Sequence, residues 1–169
     1  MPDHSGRYVV MGVAGSGKST IAAALARELD VAFVEGDEFH PPENVRKMAA
    51  GMPLTDQDRA PWLAALAARL REARRASQGL VMTCSALKRA YRDILRRGAP
   101  DTQFVFLDGP KALIAERLAS RTGHYMPSSL LDSQFAALEK PTPDEHAWLC
   151  DISDAPDDVV ADLVARVKS

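Results

Sequence analysis

The chain has 169 residues, of which 46% are hydrophobic and 26% charged, with a formal net charge of −2. That length suits one compact domain, and so even a charge balance gives no electrostatic reason to bind nucleic acid or acidic membranes. No stretch reaches the roughly 18 apolar residues that span a bilayer, and residues 1–7 are short and polar, so the expected compartment is the cytoplasm. The two cysteines, Cys84 and Cys150, fall in or beside strand-like runs and read as reduced, mostly buried thiols.

In chain order, Tyr8–Met11 is an apolar run ending at a glycine, which predicts a buried strand. Lys18 to Leu29 carries a helical pattern through Ile21, Leu25 and Leu29, and Ala32–Val34 predicts a second strand. The next buried strand, Leu80–Thr83, comes only after an insertion over about 38–78. Pro41-Pro42 opens a short helix there to about Ala50, closed by Gly51 and Pro53. Thr55 with Asp58 predicts a capping box for a longer helix whose apolar face runs through Leu63, Leu66 and Leu70. The two inserted helices are expected to project from the sheet edge. Ser85 predicts a helix cap with the helix running to about Arg97, followed by a strand at Phe104–Leu107 and a helix at Pro110–Ser120. A lid is expected over about 120–142, holding a helix near Ser129–Leu138, before the strand Ala147–Ile152 and the helix Asp157–Val167. The alternation predicts an α/β, three-layer fold with a parallel five-stranded sheet and ligands at the carboxyl ends of the strands.

Gly12-Val13-Ala14-Gly15-Ser16-Gly17-Lys18-Ser19 is a complete G-x-x-x-x-G-K-S phosphate loop, placed after a strand and before a helix. Inward-pointing amides and the positive helix start bind polyphosphate, so Gly12, Ala14, Gly15, Ser16, Gly17, Lys18, Ser19 and Thr20 are the expected ATP-binding residues. Lys18 is expected at the β- and γ-phosphates and Ser19 on Mg²⁺. No N-K-x-D segment is present to read guanine. Asp108 ends an apolar run but is followed by Gly109-Pro110, so it either assists the next helix N-terminus or, less in keeping with its context, serves Mg²⁺.

A small-molecule kinase also needs an orienting carboxylate, cations around the transferred group and a closure that excludes water. Asp37, just past the second strand, is expected to act as base or orienter and to help hold Mg²⁺ through water. Its alternative reading is a turn cap. Arg117 and Arg121 precede the polar stretch Thr122–Pro127 of the expected lid, as stabilisers of phosphoryl charge or as a stacking surface for adenine.

Gly36-Asp37-Glu38-Phe39-His40-Pro41, Asn44 with Lys47-Met48, Gly51-Met52-Pro53-Leu54-Thr55-Asp56 with Asp58-Arg59, Pro61-Trp62-Leu63, Cys84-Ser85-Ala86-Leu87-Lys88 and Tyr91-Arg92-Asp93 together resemble the gluconokinase family. Arg121, Gly123-His124, Gln134-Phe135, Leu138-Glu139 and Pro141 continue the similarity over nearly the whole chain. The resemblance implies ATP-dependent phosphorylation of D-gluconate to 6-phosphogluconate, a P-loop fold shared with shikimate and adenylate kinases, Lys47 on the acceptor side, and a homodimer.

The chemistry of the residues favours an acidic, hydroxylated acceptor on its own terms. A helix start at Ser85-Ala86-Leu87, with Lys88, would seat a carboxylate, Arg59 could clamp it, and His40 and Gln134 could bond hydroxyls. The competing readings are a solvated helix face for Lys88 and Arg92, an ion pair with Asp56 or Asp58 for Arg59, and plain surface for His124, whose functional reading is a lid or acceptor contact. Rival functions are another small-molecule kinase, a nucleotide kinase, or a nucleotide-binding module without catalysis.

Overall fold

The computed structural model describes residues 6–120 and 128–169. Five strands form one parallel sheet, β1 (Arg7–Met11), β2 (Ala32–Glu35), β3 (Leu80–Thr83), β4 (Gln103–Asp108) and β5 (Trp148–Asp151), in the order β2-β3-β1-β4-β5. Central β1 pairs Val9 with Met82 of β3 and with Phe104 of β4. Side chains alternate across it, so Val9 and Met11 enter one core layer and Val10 the other. Both faces are covered, which is why β1, β3 and β4 read as continuous apolar runs instead of alternating ones.

The helices are α1 (Lys18–Leu29), α2 (Pro42–Ala49), α3 (Asp56–Arg75), α4 (Arg89–Gly98), α5 (Lys111–Ala119), α6 (Ser128–Ala137) and α7 (Pro156–Lys168). α1 buries Ile21, Leu25 and Leu29 against Val10, Val81 and Val105, beside Val159 and Leu163 of α7. Thr55 accepts from the Asp58 amide at 3.1 Å and Asp58 accepts from the Thr55 amide at 2.9 Å, the reciprocal capping box expected at the start of α3.

α3 differs from its expected placement. It does not project from the sheet edge: Trp62, Leu63, Leu66, Ala67, Leu70 and Ala73 are buried with Val9, Leu80, Met82, Phe104 and Phe106, and α4 packs beside it. A 20-residue helix with so wide an apolar face is driven onto the sheet, and only α2 and the connection to α3 remain as a wall above the strand ends. A second difference lies after β3. α4 begins at Arg89, with Lys88 as its N-cap residue, and Ser85–Leu87 is an irregular bend in which Ala86 takes φ 46°. Those three carbonyls are drawn to tertiary partners, Ser85 O to the Gly12 amide at 3.3 Å, Ala86 O to Arg92 at 2.8 Å and Leu87 O to the Glu139 amide at 2.7 Å.

Cys84 is fully buried, and burial pushes its thiol up to about 12; Cys150, part-buried, is pushed up to about 11 for the same reason. Because the thiolate is the reactive form, Cys84 is expected to resist a disulfide reagent at pH 8 in the folded protein and to react on denaturation. Stoichiometric labelling of Cys84 within minutes under native conditions would contradict this packing.

Candidate active site

The strand order reverses direction around β1, and the loops after β1, β2 and β3 therefore converge at the carboxyl end of the sheet, where such folds bind ligands. The first is the phosphate loop. Gly17 precedes α1 with φ 97°, a left-handed conformation that an L side chain resists, and this bend turns the chain into the helix start. The second loop passes so close to β3 that a Cβ on Gly36 would lie 1.9 Å from the Thr83 carbonyl oxygen, so only glycine lets Glu35 and Asp37 approach the site together.

Between these loops and the wall formed by α2, the α2–α3 connection and α6 lies a cavity of about 490 Å³. Ala14, Lys18, Asp37, His40, Arg59, Ser85 and Gln134 all line it, bringing together residues from five separate segments. Trp62 forms part of its floor. The indole donates to the Gly36 carbonyl at 2.8 Å, and the His40 ring stacks on it at a centroid distance of 4.0 Å.

His40 is held in a defined state by Asn44. The Asn44 amide nitrogen donates to the Asp58 carbonyl at 2.8 Å, which fixes its orientation, so the 3.1 Å contact to His40 Nδ1 is also a donation. Nδ1 is then an acceptor and the neutral ring carries its proton on Nε2. Burial lowers the His40 pKa, Asp37 opposes that and Arg59 adds to it, leaving the ring neutral at pH 7. Asn44, buried on α2, is among the residues that carry the family resemblance, but nothing local in the sequence points to this role.

Arg59 does not pair with either nearby aspartate. Its guanidinium donates to the Leu54 carbonyl at 2.7 Å and the Tyr91 hydroxyl at 3.2 Å, and lies over the Tyr91 ring. Tyr91 in turn donates to Asp56. The arginine is thus braced by neutral groups beside the cavity, with its positive charge uncompensated by a direct carboxylate contact.

Three expected acceptor contacts are placed elsewhere. Lys47 Nζ is 2.8 Å from Asp58, whose carboxyl is held at about 2 first by that hydrogen bond and then by the Thr55 amide. Lys47 thereby ties α2 to α3 and does not line the cavity. Lys88 is 3.1 Å from Asp56 and lines an adjoining surface depression with Arg59 and Gln134. Ala86 is fully buried behind the cavity, because the helix start that would have exposed its amide begins at Arg89. His124 and Arg121 lie outside the described residues.

A second cavity of about 350 Å³ opens on the other side of the phosphate loop. Gly15, Ser16, Gly17 and Thr20 line it with Arg117, Ile152, Asp154 and Pro156. Arg117 donates to the Ile152 carbonyl at 2.5 Å, which fixes its guanidinium at the rim.

Glu35, which the sequence places just past the expected strand Ala32–Val34 without a role, is a functional candidate. Ser19 Oγ donates to it at 2.6 Å, Thr83 donates to its other oxygen, and the Gly36 amide donates to Thr83 at 3.0 Å. An acidic residue ending a strand two positions before Asp37 was the available signal. Among the described residues no three His, Cys, Asp or Glu side chains converge as a preformed metal cage. The Ser19 hydroxyl beside Glu35 is instead a partial set of hard oxygen donors, which suits Mg²⁺, an ion that takes few protein ligands and completes its shell with water and phosphate oxygens.

Comparison with known proteins agrees with this geometry. The AAA domain family model matches residues 8–141. A gluconokinase of Gluconobacter oxydans is 51% identical over 161 residues, covering 95% of this chain and 90% of that protein. The thermoresistant gluconokinase of Escherichia coli is 43% identical over 162 residues, covering 95% and 93%. The crystal structure of a gluconokinase from Sinorhizobium meliloti superposes with a TM-score of 0.89 at 47% identity, covering 97% of this chain and 92% of that one. With the phosphate loop, the sheet order and this similarity in agreement along almost its full length, the chain belongs to the gluconokinase family of P-loop kinases.

Proposed function

We propose that the protein transfers the γ-phosphoryl group of ATP to a terminal hydroxyl of D-gluconate, giving 6-phospho-D-gluconate. The observation that carries this reading is the single cavity in which Lys18 of the phosphate loop, Asp37, neutral His40 and cationic Arg59 face one another. Such a set matches the reactants: a triphosphate, a hydroxyl to be oriented and a carboxylate to be neutralised.

The adenine end of ATP is assigned to the second cavity, where Arg117 and the Ile152–Pro156 segment offer a planar cation and apolar contacts for a base. The triphosphate follows the loop from Gly12 to Thr20. Arg59 takes the gluconate carboxylate, and His40, with its Nε2 proton, donates to a sugar hydroxyl. Asp37 orients the attacking hydroxyl or takes its proton, and Ser85 supplies a further polar contact. Ser19 with Glu35 would hold Mg²⁺, and Asp37 would contact its hydration shell. The ion supplies charge neutralisation at the β- and γ-phosphates.

No helix among the described residues is long and apolar enough to cross a membrane. A cytoplasmic location and a homodimer are proposed on the family likeness, and the whole of 1–169 is proposed to work as one kinase domain.

A coupled ADP-release assay with gluconate, other sugar acids and shikimate tests the acceptor. Gluconate is expected to give the highest kcat/KM; faster turnover of another acid, or ADP release indifferent to acceptor, would refute the assignment. Asp37→Asn is expected to lower kcat by about 10²-fold or more with MgATP binding little changed, the size typical of losing acid–base assistance. Wild-type turnover in that variant would remove Asp37 from the mechanism.

A further inference from the structure

Gln134 stands where the nucleotide and acceptor sides of the site meet. It is half-buried on α6, and its Oε1 accepts a 2.6 Å hydrogen bond from the Ala14 amide of the phosphate loop. Amides of such loops hold phosphate oxygens, so a neutral carboxamide oxygen here occupies a donor suited to a charged acceptor. A phosphate oxygen makes the stronger, charge-assisted bond and would take that donor from it.

The same side chain lines the cavity assigned to the acceptor, along with Asp37, His40 and Arg59. Its Nε2 has no acceptor among the described residues. Released from Ala14, the carboxamide would have both an acceptor and donors to offer a polyhydroxylated ligand. The C-terminal end of α6 is anchored, since the Glu139 amide just beyond it donates to Leu87 O at 2.7 Å. Exchange of partners therefore needs a change of side-chain rotamer, not a displacement of the helix.

We propose that Gln134 couples the two substrates: it caps the Ala14 amide in the nucleotide-free protein, is released by the triphosphate, and then bonds an acceptor hydroxyl. The cap lowers nucleotide affinity slightly, and the release makes the acceptor site complete only after ATP is in place. The inference rests on the kinase reading for the identity of the acceptor, while the cap itself concerns nucleotide binding alone.

The test is calorimetric titration of MgATP into the full chain without acceptor, for the wild type, Gln134→Ala and Gln134→Glu, followed by the gluconate KM at saturating MgATP. Gln134→Ala removes the competitor and is expected to tighten MgATP binding by about 3- to 10-fold while raising the gluconate KM about tenfold, the range of one hydrogen bond. Gln134→Glu puts a carboxylate on the same amide and is expected to weaken MgATP binding by about tenfold or more. Thermal melts of all three proteins establish that each is folded. Unchanged or weaker MgATP binding in Gln134→Ala overturns the cap, and an unchanged gluconate KM overturns the coupling. Either result in a wild type that phosphorylates gluconate leaves the kinase reading intact. A wild type that binds MgATP but never consumes it with gluconate overturns the kinase reading, and the titrations still decide the cap.

Discussion

Lys18→Ala is expected to lower kcat by about two to three orders of magnitude while leaving the fold unchanged. The lysine opens α1 at the rim of the cavity, and its Nζ donates to the Val13 carbonyl at 3.0 Å. In the proposed reaction the ammonium would sit at the phosphate oxygens, where negative charge redistributes during transfer. A preorganised donor aimed at developing charge contributes about 10²- to 10³-fold to rate. Apolar burial along α1 comes from Ile21, Leu25 and Leu29, none of which depends on the lysine, so the circular dichroism spectrum and melting point should match the wild type closely. A variant retaining more than about a tenth of wild-type kcat would show that the helix dipole and loop amides suffice.

The second large effect is on stability. Arg92 is fully buried on α4, and its Nε and one terminal nitrogen reach the Glu145 carboxylate at 2.7 and 3.0 Å, while the other donates to Ala86 O. Arg96 adds a 2.7 Å contact to the same carboxylate. Arg92→Met would leave a buried carboxylate short of its main partner and strand the Ala86 carbonyl, and is expected to cost about 3–5 kcal/mol in urea unfolding. A loss below about 1 kcal/mol would mean that water or Arg96 takes over the role.

The pair also sets an acid limit. Burial would raise the Glu145 pKa, but the hydrogen bonds from Arg92 and then Arg96, with the Thr142 amide, outweigh it and hold the carboxyl at about 2 against 4.5 for the free group. A depressed folded-state pKa contributes stability that is complete above the unfolded value and fades as pH falls from about 4.5 towards 2. Glu145→Gln should therefore be less stable at pH 7 and show a flatter stability profile across that acid range.

Arg92 also illustrates what local sequence could and could not reveal. In local sequence it reads as a solvated charge on a helix face, and the partner that decides the matter lies 53 positions downstream. The phosphate loop, by contrast, was legible in full because its chemistry is local: the glycines, the lysine and the serine are contiguous and bounded by a strand and a helix. The sheet was legible for a similar reason, since buried parallel strands leave apolar runs. Ser85 misled because a capping serine specifies a helix only when its neighbours' carbonyls are not claimed by distant donors, and here Gly12, Arg92 and Glu139 claim three in succession. For α3 the periodicity was evident and its destination was not, since an apolar stripe indicates that a face is buried without indicating against which surface. Lys47 reads as a substrate contact until Asp58, on a different helix, is found beside it.

The bond from the Gly12 amide to the Ser85 carbonyl ties the phosphate loop to the bend after β3. In the proposed reaction, donor and recipient of the phosphoryl group would thus rest on one connected platform whose spacing is set before either arrives. Any tightening around the reactants has to come from the walls, above all α2 and its junction with α3, where Val45, Met48 and Met52 are exposed.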